Sequence, residues 1–447
     1  MIEETLPAYL TDLEKKILGK SSEIEAWLRI KWRSHVPPFY GSVDLRNSGY
    51  KIAPVDMNLF PGGFNNLNLA FISGATIAAQ EAMNRLCPDA KTVLIIPENH
   101  TRNLFYLENL YALYQILEKA GFQVRIGTLN QEINTPTVLE TASAHKITVE
   151  PIKRRGGKLY LGKQFEPCAV LLNNDLSAGI PSLITGLDQK ITPPTQASWT
   201  IRTKTQHFHY YNQVINELSP MIDLDPWLLN PYFDIATGID FTQKNDNSML
   251  ADKVEALLQK ISKKYQEYDI KDPPFLIMKA DSGTYGMGVM TVSSPDAVRD
   301  LNRKNRNKMA TIKEGLKVRN VILQEGVYSA EAIAGAVAEP VVYMIDRFVI
   351  GGFYRAHEGR KRNENLNAHG MKFIPLEEDI STVPDNNGYG LHHHFTQWPT
   401  VGLRALHENN AYEANRLYIY GLIARLSLLA LSLIHISEPT RLLSISY

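Results

Sequence analysis

The sequence predicts a mixed fold, in which an N-terminal α/β region with a parallel sheet is followed by an α+β domain built around a glycine-rich loop. Between Ala70 and Ile126, helical and strand-like stretches alternate, which is typical of βαβ units and of a parallel sheet. Further along, Phe275 to Val292 has the pattern of a strand, a turn-rich glycine loop and a second strand. With 447 residues, the chain is long enough for two or three domains.

The composition indicates a globular protein with small partners. The chain is 44% hydrophobic and 21% charged, and its 47 basic residues balance its 47 acidic ones. A neutral chain lacks the broad basic surface that binds nucleic acid or an anionic membrane. Cys87 and Cys168 lack metal-ligand spacing, so we expect neither a zinc site nor a disulfide scaffold. The N-terminus is acidic and has no apolar signal region, which predicts a cytoplasmic protein.

The first third of the chain begins with a helix or a pair of helices between Leu10 and Arg33, where apolar residues recur at helical spacing. The segment from Gly41 to Asn68 follows, and its dense polar side chains and glycines predict that it makes no conventional core. Its cations and amides suit a small zwitterion that carries carboxylate and ammonium groups, and a solvated, turn-rich loop is the alternative. The residues that we expect to contact this ligand are Arg46, Asn47, Lys51, Asp56, Asn58 and Asn65.

The α/β region has four elements that the hydrophobic pattern defines well, which are Ile77 to Leu86 (helix), Thr92 to Ile96 (strand), Thr101 to Ala120 (helix) and Gln123 to Ile126 (strand). His100 follows the first strand at its carboxyl end, where open α/β sheets place ligands, but a lone histidine there is more often a neighbour of a helix cap. A buried strand is also expected from Ala169 to Leu172.

Two further segments lie before the glycine loop. Arg202 and Lys204 are two residues apart, so they could share one strand face and bind a carboxylate or phosphate; plain surface charge is the favoured alternative. Ser248 to Tyr268 has a helical apolar face.

The glycine loop and the strands after it carry the strongest pattern. Lys279 precedes glycines at positions 283, 286 and 288, an arrangement that lets backbone N–H groups and a point charge approach phosphate, although an ordinary hairpin has the same composition. The strand from Val321 to Val327 ends in Gln324-Glu325-Gly326-Val327, which suits an adenine edge, with Glu331 within reach of a ribose. Two strands about the turn Asp346-Arg347 and an asparagine-rich loop follow.

This order of strand, lysine, glycine loop, strand and arginine-ended hairpin resembles the ATP-grasp fold of glutathione-synthetase-like ligases over roughly residues 251–430. The stretches Arg46 to Lys51, Pro54 to Asn58 and Phe60 to Asn66 resemble the proteobacterial ATP-grasp type of glutamate–cysteine ligase. The resemblance implies an α/β substrate-side domain (1–135), a central α/β segment (136–250) and the ATP-grasp domain (251–430).

The activity that this resemblance implies is ATP-dependent ligation of glutamate to cysteine through γ-glutamyl phosphate, with ATP and Mg²⁺ as cofactors. A related ligase with another acid or amine, and an inactive nucleotide-binding regulator, are the alternatives. By resemblance, Arg355 and Lys279 are catalytic and Arg202 joins the substrate residues named above. The implied nucleotide residues are Lys279, Ser282, Gly283, Gly286, Gly288, Gln324, Glu325, Val327 and Glu331, and the implied metal ligands are Glu339, Asp346, Asn365 and Asn367.

The C-terminal part departs from the family pattern in two respects. No acid-x-Asn metal motif in strand context follows Gly370, and the run His392-His393-His394 is expected to be a polar loop, because three adjacent residues cannot face one ion. Tyr418 to Ile436 is long and apolar, but Arg425 near its middle argues against a membrane span. Leu431 to Arg441 resembles a translated sequencing adapter, so we expect residues 431–447 not to be native protein.

Overall fold

The structure is a computed structural model, and it describes residues 10–99, 102–198, 201–241, 247–282, 288–299, 301–310, 317–376 and 416–436. The α-helices are α1 (Asp12–Gly19), α2 (Ser21–Ser34), α3 (Ile72–Leu86), α4 (Leu104–Lys119), α5 (Lys204–Leu218), α6 (Ser248–Glu267), α7 (Asp296–Arg299), α8 (Arg303–Ala310) and α9 (Leu417–Ile436).

The strands are β1 (Tyr40–Asn47), β2 (Ile52–Asn58), β3 (Thr92–Pro97), β4 (Gln123–Thr128), β5 (Thr137–Glu140), β6 (Lys146–Arg155), β7 (Lys158–Leu161), β8 (Ala169–Asn173), β9 (Lys190–Thr192), β10 (Phe233–Ala236), β11 (Leu276–Ala280), β12 (Val289–Val292), β13 (Val321–Glu325), β14 (Ala332–Ile333), β15 (Ala336–Ile345), β16 (Phe348–His357) and β17 (Lys372–Pro375). The mixed helix and sheet fold that the sequence predicts is confirmed.

A mainly parallel sheet with the order β5-β6-β4-β3-β8-β9 forms the α/β region, and β7 pairs with β6. Strand β3 pairs in parallel with both β4 and β8. The central strands are buried on both faces, as their continuous apolar runs require, and α3 and α4 contribute to one of the two cores that cover them. The predicted βαβ pattern is therefore correct, and its helices begin a few residues away from the predicted positions.

The remaining described strands form two antiparallel sheets. The smaller has the order β10-β13-β11-β12, and its β11–β12 pair is the predicted hairpin, with Lys279 opposite Val289. The larger has the order β17-β16-β15-β1-β2, with β14 paired to β15. It joins strands from residues 40–58 to strands from residues 332–375, so distant parts of the chain share one sheet.

The expectation that residues 41–68 make no conventional core is wrong for the first half of that segment. Strands β1 and β2 pair antiparallel, and Val43 and Leu45 are completely buried in the main core. Asp44 and Arg46 alternate with these two apolar residues along β1, so the charged and the apolar side chains point to opposite faces of the sheet. The segment is rich in polar residues because one face of strand β1 carries them. It is therefore a strand with one polar face and not a solvated loop.

Helix α9 is the one helix in the described ranges that is long and apolar enough to cross a membrane. Its 18-residue apolar window is 89% buried inside the protein, so it packs as a core helix. Arg425 within it forms a bidentate pair with Glu25 of α2, at 2.9 and 2.7 Å. The helix runs to Ile436 and thus passes the predicted start of the non-native tail; residues 437–447 lie outside the described ranges.

Candidate active site

Three strands of the large sheet carry a cross-strand row of charged side chains, here called the charged row, made of Arg46, Glu339 and Arg355. Glu339 lies opposite Arg355 in the β15–β16 register, and Arg46 lies on β1, the other neighbour of β15. One carboxylate oxygen of Glu339 accepts from Arg355 at 2.7 Å and the other accepts from Arg46 at 2.9 Å. Burial alone would raise the pKa of Glu339, but the two guanidinium groups lower it.

A pair of aspartates lies beside the charged row. Asp44 of β1 faces Asp56 of β2 directly in the antiparallel register. Like charges in that position repel each other, so each needs a nearby cation. Arg355 supplies one for Asp44, at 3.4 to 3.5 Å, yet burial still raises the pKa of Asp44. Burial opposes ionisation of Asp56 as well, but the charges of Lys204 and Lys279 lower its pKa to about 2.

Lys279 of β11 is buried beside these carboxylates. Its ammonium donates to the backbone carbonyl of Val55 at 2.6 Å and to Oε1 of Gln324 at 2.7 Å, so both hydrogen-bond acceptors are neutral. Burial lowers the pKa of Lys279 to about 8, although Asp56 favours the charged form. The amide nitrogen of Gln324 is buried and finds no acceptor in the described part of the chain, so it is a donor that a ligand could satisfy.

Glu325, the next residue of β13, is buried on the other face of the strand. Its carboxylate accepts from Lys51 at 2.8 Å, from the Trp227 indole at 3.1 and 3.2 Å and from the backbone of Tyr232 at 2.9 Å. The ammonium of Lys51 also lies 4.1 Å from the centre of the Trp227 ring. The structure thus joins Lys51, predicted to bind substrate, to Glu325, predicted to bind nucleotide, in one buried ion pair.

Several backbone groups of the predicted adenine segment already have partners within the protein. The N–H of Glu325 donates to the Tyr232 carbonyl at 2.7 Å, and the N–H of Gly326 donates to the Phe275 carbonyl at 2.8 Å. A Cβ on Gly326 would come within 2.1 Å of the Phe275 ring, so this close packing requires glycine. The carbonyl of Val327 accepts from Arg46 at 3.1 Å. The N–H groups of Glu325 and Gly326 are therefore not available to a ligand, whereas the side-chain amide nitrogen of Gln324 is.

Arg202 and Lys204 do not share a strand face, which corrects that expectation. Lys204 is the first residue of α5, whose N-terminus Thr203 caps, and Arg202 lies just before it. Both nevertheless reach β2, because Lys204 pairs with Asp56 at 3.1 Å and Arg202 donates to the Met57 carbonyl at 3.2 Å. Burial lowers the pKa of Arg202 to about 10.

Four other residues that were predicted to bind substrate or nucleotide make contacts within the protein itself. Asn47 is completely buried and donates to Glu14 and to Tyr420, both at 3.2 Å. Glu331 pairs with the same tyrosine hydroxyl, and burial raises the pKa of Glu331. Asn58 pairs with Ser42 in the β1–β2 register, and Asn65 donates to its neighbour Asn66.

The glycine loop between β11 and β12 is described only at its ends. Ser282 is half-buried after β11, and Gly288 has a φ of 60°, a left-handed conformation that favours glycine. Gly283 and Gly286 lie outside the described ranges, as do His100 and the three histidines at 392–394.

The predicted metal ligands do not assemble into a site. Glu339 is held by two arginines, and Asp346 lies in the turn at the far end of the β15–β16 hairpin, paired with Arg85. Asn365 accepts from the backbone of Asn367, and no ion pair or hydrogen bond joins either to Glu339 in the described structure. In the ranges that the structure describes, no three His, Cys, Asp or Glu residues are grouped to hold a metal. The acid-x-Asn triplets at 385–387, 408–410 and 413–415 all lie outside those ranges.

Asp44 and Lys204 are the site residues that sequence reasoning missed or undervalued. The signal for Asp44 was the alternation in Val43-Asp44-Leu45-Arg46, which places both charged residues on one strand face. The signal for Lys204 is Thr203, a residue type that favours the N-cap of a helix and therefore predicts a helix start at Lys204 and not a strand.

The described residues fit the phosphate and base of a nucleotide better than they fit a magnesium ion. Lys279 offers a buried cation without a hydrogen-bonded carboxylate, and Gln324 offers an unsatisfied amide donor beside it. A buried lysine within a strand, a glycine loop after that strand and paired arginine and carboxylate side chains on another sheet fit one class of protein, the ATP-grasp-type ligases, which join a carboxylate to an amine.

The chain belongs to the glutamate-cysteine ligase family, whose sequence profile matches residues 14–434. It is similar to a crystal structure provisionally named gamma-glutamylcysteine synthetase, from Methylobacillus flagellatus KT. The two share 50% sequence identity with a TM-score of 0.83, and the match covers 96% of this chain and 98% of the other. The family, the ligase class and the mixed helix and sheet fold inferred from the sequence are thereby confirmed, and the fold is consistent with the ATP-grasp type.

Two further solved structures are much more distant. D-alanyl-alanine synthetase A from Vibrio cholerae has 12% identity and a TM-score of 0.32, with 66% of this chain and 76% of the other covered. A glutathione synthetase-like effector from Globodera pallida has 10% identity and a TM-score of 0.35, with 81% and 79% covered. Neither likeness is close enough to support an argument. None of the curated protein sequences matches the chain.

Proposed function

We propose that this protein ligates the γ-carboxylate of L-glutamate to the amine of L-cysteine, with ATP as the energy source, to give γ-glutamylcysteine, ADP and phosphate. This is the first step of glutathione biosynthesis. The observation that carries the proposal is the charged row with the adjoining aspartates, which places cations and anions together on one sheet face in a member of the glutamate-cysteine ligase family.

The reaction has two steps. The γ-phosphoryl group of ATP passes to an oxygen of the glutamate side-chain carboxylate, which forms an acyl phosphate and releases ADP. The cysteine nitrogen then attacks the acyl carbon, the carbon–oxygen bond to phosphate breaks, and the nitrogen loses a proton. These steps require positioning and charge neutralisation more than a covalent nucleophile from the protein. Cys87 and Cys168 have no role in this scheme.

The side chains divide between the two ends of this chemistry. Lys279 neutralises phosphate charge, and the unpaired amide nitrogen of Gln324 donates to the nucleotide beside it. Arg355 binds the γ-carboxylate as it becomes an acyl phosphate, where a planar guanidinium can contact two oxygens at once. Asp44 and Asp56 bind the ammonium group of the amino-acid substrate. Each charged side chain is thus assigned to a ligand group of opposite charge.

Magnesium is expected in any such reaction, because it neutralises phosphate charge when bound to ATP. The described residues do not assemble a site for it, so no step above depends on a protein ligand to the metal.

The test is ADP release from the purified full chain with magnesium and ATP, supplied with glutamate and cysteine singly and together. We expect release to require both amino acids, and mass spectrometry to find γ-glutamylcysteine. ATP binding without stimulation by either amino acid would reject glutamate–cysteine ligation. A panel of other acids and amines would then separate a related ligase from a protein that only binds nucleotide.

A further inference from the structure

We propose that Glu339 is a positioning residue for Arg355 and Arg46, and that it is not a ligand of magnesium. This inference rests on the proposed function, because it concerns how the ligase presents its catalytic arginine. It replaces the metal role that the family resemblance implied for this glutamate.

The contacts of Glu339 support the positioning role. Its Oε1 accepts from Arg355 at 2.7 Å and its Oε2 accepts from Arg46 at 2.9 Å, so each oxygen already has a charged partner. The side chain is 4% exposed and lies in the middle strand of the three that form the charged row. A divalent cation at this carboxylate would lie between two guanidinium groups, whose charges would repel it.

The orientation of Arg355 shows what this contact achieves. Its NH1 donates to Glu339 at 2.7 Å and makes a longer contact to Asp44 at 3.4 Å, whereas its NH2 makes only long contacts to Asp44, at 3.4 and 3.5 Å. Its Nε is buried and has no partner in the described part of the chain. The Nε and NH2 edge of a guanidinium is a fork that matches the two oxygens of a carboxylate or phosphate. Glu339 therefore holds one edge of Arg355 and leaves the other edge for the substrate.

Arg46 gives the row its rigidity. Besides Glu339, it donates to the carbonyls of Val327 and Arg362, both at 3.1 Å, so it ties β1 to the chain beyond β13 and beyond β16. A carboxylate that is fixed by Arg46 is a stationary partner for Arg355. Ground-state order of this kind is what allows an arginine to stabilise charge as it develops.

The test compares Glu339→Gln with a matched control, Glu25→Gln. Glu25 also holds an arginine through both oxygens, but its partner Arg425 lies on α9, away from the charged row. For each variant we would measure kcat, the KM for glutamate and the magnesium concentration that gives half-maximal turnover. Binding of Mn²⁺ to the protein with a non-hydrolysable ATP analogue, followed by electron paramagnetic resonance, gives a readout that needs no turnover.

For Glu339→Gln, we expect kcat/KM for glutamate to fall by about 10- to 100-fold, by analogy with the loss of activity when a residue that orients a metal ligand is removed. The magnesium requirement and Mn²⁺ binding should stay within twofold of the wild type, and Glu25→Gln should leave kcat and KM unchanged. A roughly tenfold weaker affinity for magnesium or Mn²⁺ would overturn the proposal, and so would unchanged kinetics.

Two additional variants keep the test decisive if Glu339→Gln folds poorly. Glu339→Asp retains the negative charge between the arginines, but its shorter side chain cannot hold both, so the same kinetic loss is expected with normal Mn²⁺ binding. Arg355→Lys combined with Glu339→Asp should be no slower than Arg355→Lys alone, because the glutamate acts through the arginine. Additive losses would overturn that coupling. If the wild type itself lacks ligase turnover, the proposed function fails, and Mn²⁺ binding still decides whether Glu339 holds a metal.

Discussion

Two buried lysines on opposite faces of the small sheet differ in what neutralises them. Lys51 donates to the carboxylate of Glu325, whereas Lys279 donates to a backbone carbonyl and to the neutral amide oxygen of Gln324. Gln324 and Glu325 are consecutive residues of β13, so their side chains leave the strand in opposite directions. Burial lowers the pKa of both lysines to about 8, even though only one has a hydrogen-bonded carboxylate.

This difference separates a structural ion pair from a binding group. The Lys51–Glu325 pair is covered by aromatic side chains, and Glu325 also accepts from the Trp227 indole and from the backbone of Tyr232. Lys279 holds a charge that its hydrogen-bonding neighbours do not neutralise, which costs stability unless an anion arrives. The contrast fits a phosphate-binding lysine, because the ammonium of Lys279 is buried without a hydrogen-bonded carboxylate, although the charges of Asp56 and Asp44 still favour its protonated form.

The largest effect that tests this comparison is expected from Lys51→Met. The substitution keeps an apolar stem of similar length but leaves Glu325 as a buried carboxylate without its cation. We expect the free energy of unfolding to fall by about 3–5 kcal/mol, the usual penalty for breaking one side of a buried pair. Urea unfolding followed by circular dichroism measures it. A loss below about 1 kcal/mol would show that the pair is not the structural anchor described above.

The same substitution at the other lysine, Lys279→Met, should act on turnover. It removes a charge that has only neutral hydrogen-bond partners, so we expect a smaller loss of stability than for Lys51→Met. Turnover should fall by about 10²–10³-fold, as when one donor to a developing charge is removed. Steady-state ADP release and urea unfolding of both methionine variants give the comparison. Equal stability losses with full turnover in Lys279→Met would contradict it.

A weaker effect on substrate recognition is expected from Asp44→Asn. The variant keeps the shape of the side chain but removes the charge that we assign to the substrate ammonium group. We expect the KM for glutamate to rise by about tenfold or more, since hydrogen bonds to charged groups contribute about 1.5–3 kcal/mol. The KM for ATP should be unchanged. Glutarate, which lacks the ammonium group, serves as the control substrate, because the preference for glutamate over glutarate should shrink in the variant. An undiminished preference would exclude Asp44 from ammonium binding.

The parallel sheet was predictable from the sequence because its signal is local. Continuous apolar runs such as Ala169 to Leu172 can be buried only in a strand or helix with both faces covered, and the structure places this run in β8. The glycine hairpin at Lys279 was also predictable, since its strands are neighbours in sequence.

The charged row could not be predicted in the same way, because its pairing depends on the register of strands far apart in the chain. Arg46 and Glu339 are 293 positions apart, and nothing local indicates that β1 lies beside β15. Composition misled the interpretation of residues 41–58 for a related reason. A strand with one charged face and one apolar face has the overall polarity of a loop, and only its period of two distinguishes it.

The smallest predicted effect follows from the pKa of Lys279, which burial lowers to about 8. Phosphate binding favours the protonated lysine, so a bound nucleotide raises that pKa and binding takes up a proton as the pH passes 8. We expect the dissociation constant of a non-hydrolysable ATP analogue to be steady between pH 7 and 7.5, and to rise by about tenfold per pH unit above 8. Calorimetry in two buffers with different ionisation enthalpies measures the proton uptake directly. In Lys279→Met, affinity should be lower and independent of pH across this window, whereas a control such as Glu25→Gln should keep the wild-type profile. A persistent pH dependence in the methionine variant would assign the titration to another group, and would remove the main electrostatic distinction between the two lysines.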